Sequence, residues 1–148
     1  MTTGAIKTTD EAQIRAIVDR RVRAVQAKDV AGATADHAPD IVLYDAVPPL
    51  QYVGLDQARE RIESWFALYD GPIRYEIRDL SVAAGDAAAF CHYLYRVTGT
   101  LEAGAKVDMW VRATLCLRNV DGVWKVTHEH DSVPFDSETR QALFDLKP

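Results

Sequence analysis

The stretch Trp124-Lys-Val-Thr-His-Glu-His-Asp-Ser132 concentrates the side chains of this chain that are able to do chemistry. Two imidazoles, His128 and His130, alternate there with two carboxylates, Glu129 and Asp131. Imidazole titrates near neutral pH and serves as acid, base or metal ligand. Successive side chains of a strand point to opposite faces. Strict alternation therefore puts Trp124, Val126, His128, His130 and Ser132 on one face, and Lys125, Thr127, Glu129 and Asp131 on the other. Two apolar anchors followed by two imidazoles read as a core strand that ends as the wall of a pocket. Asp45 is the next candidate, since it follows the apolar run Ile41-Val-Leu-Tyr44 and precedes a proline-containing loop. Apolar neighbours would raise its pKa toward that of a working base; the alternative is a turn carboxylate capping local amides. Arg112 lies mid-strand among apolar residues. It reads either as a clamp for a ligand carboxylate or enolate, or as the cross-strand partner of Asp108, Glu129 or Asp131.

A shared metal between His128 and His130 would need a third ligand, with His92 or Asp45 as the available donors. No metal-ligand signature accompanies them, so neither metal nor cofactor is expected. Cys91 and Cys116 have no CxxC spacing and lie in apolar, strand-like context, where free cysteine behaves as a small hydrophobe. The chain has 148 residues, 48% of them hydrophobic, which suits one domain with its own core. A net charge of -5 argues against a nucleic-acid partner. No apolar run reaches membrane-spanning length, and Met1 to Thr9 lacks a signal-peptide pattern and reads as a short tail. A cytoplasmic protein is the expectation.

The elements that must position these residues follow from periodicity. Ile14, Ile17, Val18, Val22 and Val25 recur at helical steps, with Asp10 as a candidate cap. A second, short helix is expected from about Val30 to His37, ending before Pro39. Asp40 to Asp45 reads as a strand, and Pro48-Pro49 forces a loop. Leu55 to Tyr69 is helical, stopped by Asp70-Gly-Pro72. Four long strand-like runs follow, Ile73 to Ala83, Ala87 to Thr100, Val107 to Val120 and Val123 to Val133. Short separators, above all Asp121-Gly122, make them an antiparallel meander. Ser137 to Leu146 is expected to form a terminal helix. Helices segregated from strands indicate an α+β fold. A long, twisted sheet curled around the helices leaves a cone with an internal cavity.

In this order and spacing the chain resembles the nuclear transport factor 2-like fold, in its ketosteroid isomerase-like and SnoaL-like polyketide cyclase branch. Ala24-Val-Gln-Ala-Lys-Asp-Val30 looks like the end of that family's first helix. Val42-Leu-Tyr-Asp45, the proline loop and Gly54 look like its first strand and lid. Arg112-Ala-Thr114 ahead of Asp121-Gly-Val-Trp124 looks like its penultimate hairpin, and His128-Glu-His-Asp-Ser-Val-Pro134 like its closing strand. The resemblance runs from about Asp10 to Pro134. It implies a curved antiparallel sheet wrapped around N-terminal helices and a general base at Asp45. It also implies an oxyanion hole built from a helix-one tyrosine and a protonated acid on the penultimate strand. The positions similar in spacing hold Arg21 and Thr114, and neither matches. Steroid isomerisation itself is therefore not implied.

The expected site has Asp45, His130 and His128 as catalytic groups. Arg112, Tyr44, Trp65, Tyr69, His92, Tyr93, Trp110, Thr114 and Asp131 are expected to bind the ligand, with the aromatic residues as walls. The parity of the last two strands is the open point. Met109, Val111, Ala113, Leu115 and Leu117 form the apolar set, Trp110, Arg112 and Thr114 the other, and a β-bulge would decide which set faces the cavity. The expected activity is cofactor-independent isomerisation or cyclisation of a hydrophobic carbonyl compound, by proton abstraction next to the carbonyl. The alternatives are a non-catalytic ligand-binding or association module, and a hydrolase or dehydratase using an aspartate-histidine pair. Apolar residues on the sheet's outer face favour a homodimer.

Overall fold

The computed structural model describes residues 2–148, with side chains from residue 10 onward. Helix α1 (Thr2–Gln26) buries Ile14, Ile17, Val18 and Val25, the stripe that the spacing requires. It begins at Thr2, so the expectation of a tail is corrected over residues 2–9, while Met1 lies outside the described residues. Asp10 is inside this helix rather than at its cap, and accepts a hydrogen bond from Trp124 Nε1 at 3.0 Å. Helix α2 (Val30–Ala33) starts where Asp29 Oδ1 accepts from the Gly32 amide at 3.0 Å. It ends four residues before His37, because Thr34 bonds back to the Val30 carbonyl and the chain turns into strand β1 (His37–Tyr44).

The proline loop leads through β2 (Tyr52–Val53) to α3 (Leu55–Ala67), which buries Ala58, Ile62 and Phe66. The meander follows as β3 (Tyr69–Ala84), β4 (Ala88–Leu101), β5 (Lys106–Val120) and β6 (Val123–Ser132). Asp70-Gly-Pro72 does not stop an element; it lies in a register irregularity at the start of β3. Asp121 and Gly122 both have positive φ, 51° and 86°, the conformation of a tight hairpin turn between twisted strands. The sheet order is β2-β1-β6-β5-β4-β3. β1 lies parallel to β6, and the meander strands are antiparallel. The curved, unclosed sheet wraps the helices on its concave side.

One residue sets the face of everything beyond it. Cys116 pairs with His128, yet the next residue, Leu117, pairs with Val126. Thr127 is the extra residue of a β-bulge on β6, and its hydroxyl donates to the Cys116 carbonyl at 3.3 Å. Alternation therefore breaks there. Trp124 and Val126 are buried, and so is Glu129, whereas His130 is exposed. The expectation that both imidazoles share a face with Trp124 and Val126 is corrected. On β5 the apolar set Val111, Ala113, Leu115 and Leu117 faces inward. The chain beyond Pro134 is also not the expected helix. Phe135 bridges to Ala142, and the Asp136 carboxylate accepts from the Glu138 and Thr139 amides at 2.8 and 3.0 Å, a turn that competes with helix.

Candidate active site

A cavity of about 100 Å³ opens between α1, α3 and the concave sheet. That is several times the roughly 10–15 Å³ that one water needs. Its walls are apolar: Val25 and Ala33 from the first two helices, Ile62 and Trp65 from α3, Leu43 from β1, and Met109 and Val111 from β5. Tyr75 and Tyr95 add a stacked pair with ring centroids 4.8 Å apart. Val47 of the proline loop and Phe144 of the C-terminal segment, both partly exposed, flank the mouth.

At the inner end stands a charged pair. Arg21 lies on the apolar stripe of α1, three residues after Val18 and four before Val25. A charge there is costly unless paired. Its Nη2 donates to Glu129 Oε2 at 2.8 Å, and Nη1 contacts Oε1, a two-pronged arrangement buried at both ends. Burial opposes the Glu129 charge, but the guanidinium overrides it and holds that carboxyl below its usual range.

Asp131 follows on the same side of β6. Burial, then the negative charge of Glu129, push its carboxyl well above the usual carboxylate range, so it stands neutral beside an ionised neighbour. Its Oδ1 is sealed from solvent, and the carboxyl's side-chain hydrogen bond is to Glu129. His37 completes the inner end. Burial, then Arg21, lower its pKa to about 4, leaving the ring uncharged at neutral pH. Asp45 lies near the mouth. Arg61 Nε donates to its Oδ2 at 2.5 Å and the Ala46 amide to its Oδ1 at 2.6 Å. The residue thus both lines the cavity and caps the turn after β1.

Three residues expected at the site do line the cavity, Asp45, Trp65 and Asp131, and Tyr44 borders it with its ring turned to the convex face. His128 and His130 do not. They lie on the convex face, packed edge-on against Tyr44 with centroids 4.6 and 5.5 Å away. His128 Nδ1 donates to the Val42 carbonyl at 2.7 Å, which fixes its tautomer, since a carbonyl only accepts. His92, paired with Thr114, and Thr114, paired with His130, share that outer face. So do Trp110 and Arg112, which alternate with the inward Val111. Among the described residues Arg112 has no ion-pair partner and lies away from the cavity; its Nε donates to Ser132 Oγ at 3.1 Å. Tyr69 and Tyr93 are buried in the core rather than lining the cavity.

The sequence does not single out Arg21, His37, Arg61 or Tyr75 as cavity groups, and it leaves open whether Glu129 and Asp131 or His128 and His130 face inward. Arg21 carried a signal, a charge within an apolar helical stripe. Glu129 carried none that strict alternation reveals, because the bulge moved it inward.

A curved sheet closed by helices over a cavity of this kind defines the nuclear transport factor 2-like class. The family model described as the SnoaL-like domain matches residues 14–136, and the chain belongs to that family. A protein of this class from Pseudomonas putida KT2440, itself of unknown function, is 38% identical, with 95% of this chain and 98% of that one covered and a TM-score of 0.87. A ketosteroid isomerase-like protein from Erwinia carotovora atroseptica SCRI1043 is 25% identical over 82% of this chain and 93% of that one, at a TM-score of 0.70. A nuclear transport factor 2-like superfamily protein from Salmonella enterica serovar Typhimurium LT2 shares the fold at 14% identity, 88% and 94% coverage and a TM-score of 0.77. No curated protein matches the chain in sequence. Among the described residues, no helix is long and apolar enough to cross a membrane, and no group of three or more His, Cys, Asp and Glu side chains is arranged to hold a metal ion.

Proposed function

We propose that the protein is an acid-base enzyme acting on a small hydrophobic carbonyl compound, a cofactor-independent isomerase, cyclase or lyase. One observation carries the reading: two carboxyl groups in unlike surroundings, Asp45 beside Arg61 and Asp131 buried beside Glu129, line one largely apolar cavity. Burial, then the charge of Glu129, push the Asp131 carboxyl well above the usual carboxylate range, whereas Asp45 is ion-paired with Arg61. Acid and base roles are assigned where environments push paired carboxyls apart. Asp45 takes a proton from the carbon next to the carbonyl. The electron pair moves onto the carbonyl oxygen, and the Asp131 hydroxyl, which rests against Glu129, turns its hydrogen bond to the developing charge. Return of the proton to another position completes an isomerisation; loss of a neighbouring group completes an elimination. A neutral carboxylic acid in an apolar site is also the electrophile of ketosteroid isomerases. Here it sits on the closing strand instead of the penultimate one.

Exchange of the α-hydrogens of a bicyclic aromatic ketone such as 1-tetralone in D2O, followed by proton NMR, tests this. The protein is expected to catalyse exchange, with Asp45→Asn and Asp131→Leu each slowing it about a hundredfold. Unchanged exchange in both variants, or none with any ketone tried, overturns the reading.

The Asp45–Arg61 pair favours a second reading, binding without turnover. A carboxylate with both oxygens already engaged by a guanidinium and a backbone amide has less room to take a substrate proton. Ketones that raise the melting temperature but never exchange would favour it. The exposed Phe90 on the outer sheet face supports the expected homodimer; sedimentation of Phe90→Glu against the parent chain tests that element.

A further inference from the structure

His37 is used by no step above, yet it opens β1 inside the molecule, is 5% exposed and lines the same cavity as Asp131. Its Nδ1 is sealed with no hydrogen-bond partner among the described residues. A buried polar group without a partner is destabilising, so such a group needs a reason to be retained. We propose that His37 is a second polar anchor of the cavity, and that the ligand is an uncharged carbonyl compound bearing a hydroxyl group, its carbonyl at Asp131 and its hydroxyl at His37. This rests on the reading of the cavity as a carbonyl site.

Three observations specify the ligand. First, the cavity charges are matched internally, Arg21 with Glu129 and Arg61 with Asp45. A ligand carboxylate or ammonium finds no free counter-charge, and its desolvation would go uncompensated. Second, the His37 ring is neutral at physiological pH, since burial and Arg21 hold it at about 4. A neutral imidazole offers one donor and one acceptor nitrogen, which a hydroxyl satisfies in either tautomer. Third, His37 and Asp131 are separate stations on one cavity whose remaining wall is largely apolar and aromatic. The polar groups of the ligand must then be set apart on a hydrophobic frame.

A matched series of 1-tetralone, its ring-hydroxylated isomers and 1-naphthoic acid tests the assignment by calorimetric affinity. At least one hydroxytetralone is expected to bind about tenfold tighter than 1-tetralone, with naphthoic acid weakest. His37→Leu should abolish the hydroxyl gain, read as the ratio of hydroxytetralone to 1-tetralone affinity within each variant, and His37→Asn should keep part of it. In the parent chain, the ring nitrogens of 15N-labelled His37 should shift with the preferred hydroxytetralone and not with 1-tetralone, a readout that needs no variant to fold. The proposal is overturned if no isomer gains, if none of the series binds, if the gain survives His37→Leu, or if the acid binds best. A hydroxyl gain without α-hydrogen exchange would remove the catalytic reading and leave this one. Exchange without a hydroxyl gain would do the reverse.

Discussion

His128 and Glu129 are neighbours in β6, yet they serve opposite sides of the sheet. Glu129 is 5% exposed and clasped by Arg21 of α1, while His128 packs on Tyr44 on the convex face. The Thr127 bulge one residue earlier assigns them. Without it, the imidazoles would enter the cavity and the carboxylates would face outward.

The Arg21–Glu129 pair should be far costlier to halve than to remove. Arg21→Met or Glu129→Leu alone leaves one uncompensated charge in an apolar interior and should lower stability by about 3–5 kcal/mol. Replacing both should recover most of that loss, because the desolvation of two ions disappears with their attraction. Urea unfolding of the four members of this cycle measures the coupling. Additive losses would mean that the two side chains do not depend on each other.

Asp131 makes the opposite pH demand to most carboxylates. Its folded pKa is raised by burial and by Glu129, so the folded chain holds a proton that the unfolded chain has released. The stability from this group is complete below the ordinary carboxylate range near pH 4 and falls as pH rises toward the raised value. Asp131→Asn carries no such proton. The variant should gain on the parent chain in urea unfolding between pH 5 and pH 9, and a constant difference across that range would contradict a neutral Asp131.

Much of the scaffold was legible because it follows from period and punctuation. The α1 stripe, the helix after Gly54 and the four meander strands come from spacings of three to four and of two, broken by turn residues. Asp121-Gly122 also adopts the positive φ values its residue types favour. The cavity's chemistry was less legible, and one residue explains most of the difference. A bulge has no period; Thr127 is an ordinary strand residue whose displacement is set by pairing with Cys116 and Leu117 across the sheet. Reading beyond it by alternation puts His128 and His130 at the cavity in place of Glu129. Arg21 was legible in principle, since the same stripe that identifies the helix places it inward. His37 was not, because its inward aim depends on β1 beginning four residues after α2 ends.

The convex-face imidazoles should be silent in catalysis. His130→Ala and His128→Ala remove groups that pack against Tyr44 and line no part of the cavity. Ketone exchange rates in both variants should stay within about twofold of the parent, against the roughly hundredfold loss expected for Asp45→Asn. His128→Ala also loses its bond to the Val42 carbonyl, and should lower stability by about 1 kcal/mol. A large rate loss in either variant with the fold intact would return these imidazoles to the mechanism.

His37 should dominate the weakening of the fold in mild acid. The folded chain holds its pKa at about 4, against 6.5 for the free side chain. Between those values the unfolded chain binds more protons, so the contribution is whole above pH 6.5 and is lost as pH falls toward 4. The shift corresponds to roughly 3 kcal/mol. Glu129 acts in the same direction only at lower pH, because Arg21 holds its pKa below the usual range, and Asp131 acts in the opposite direction. His37→Asn removes the titrating ring while keeping a polar side chain. Its stability should therefore change much less than the parent's between pH 6.5 and pH 4.5, as followed by urea midpoints at fixed ionic strength. Parallel curves for the two proteins would show that the ring charges without penalty, and would remove the buried, neutral imidazole on which the ligand assignment depends.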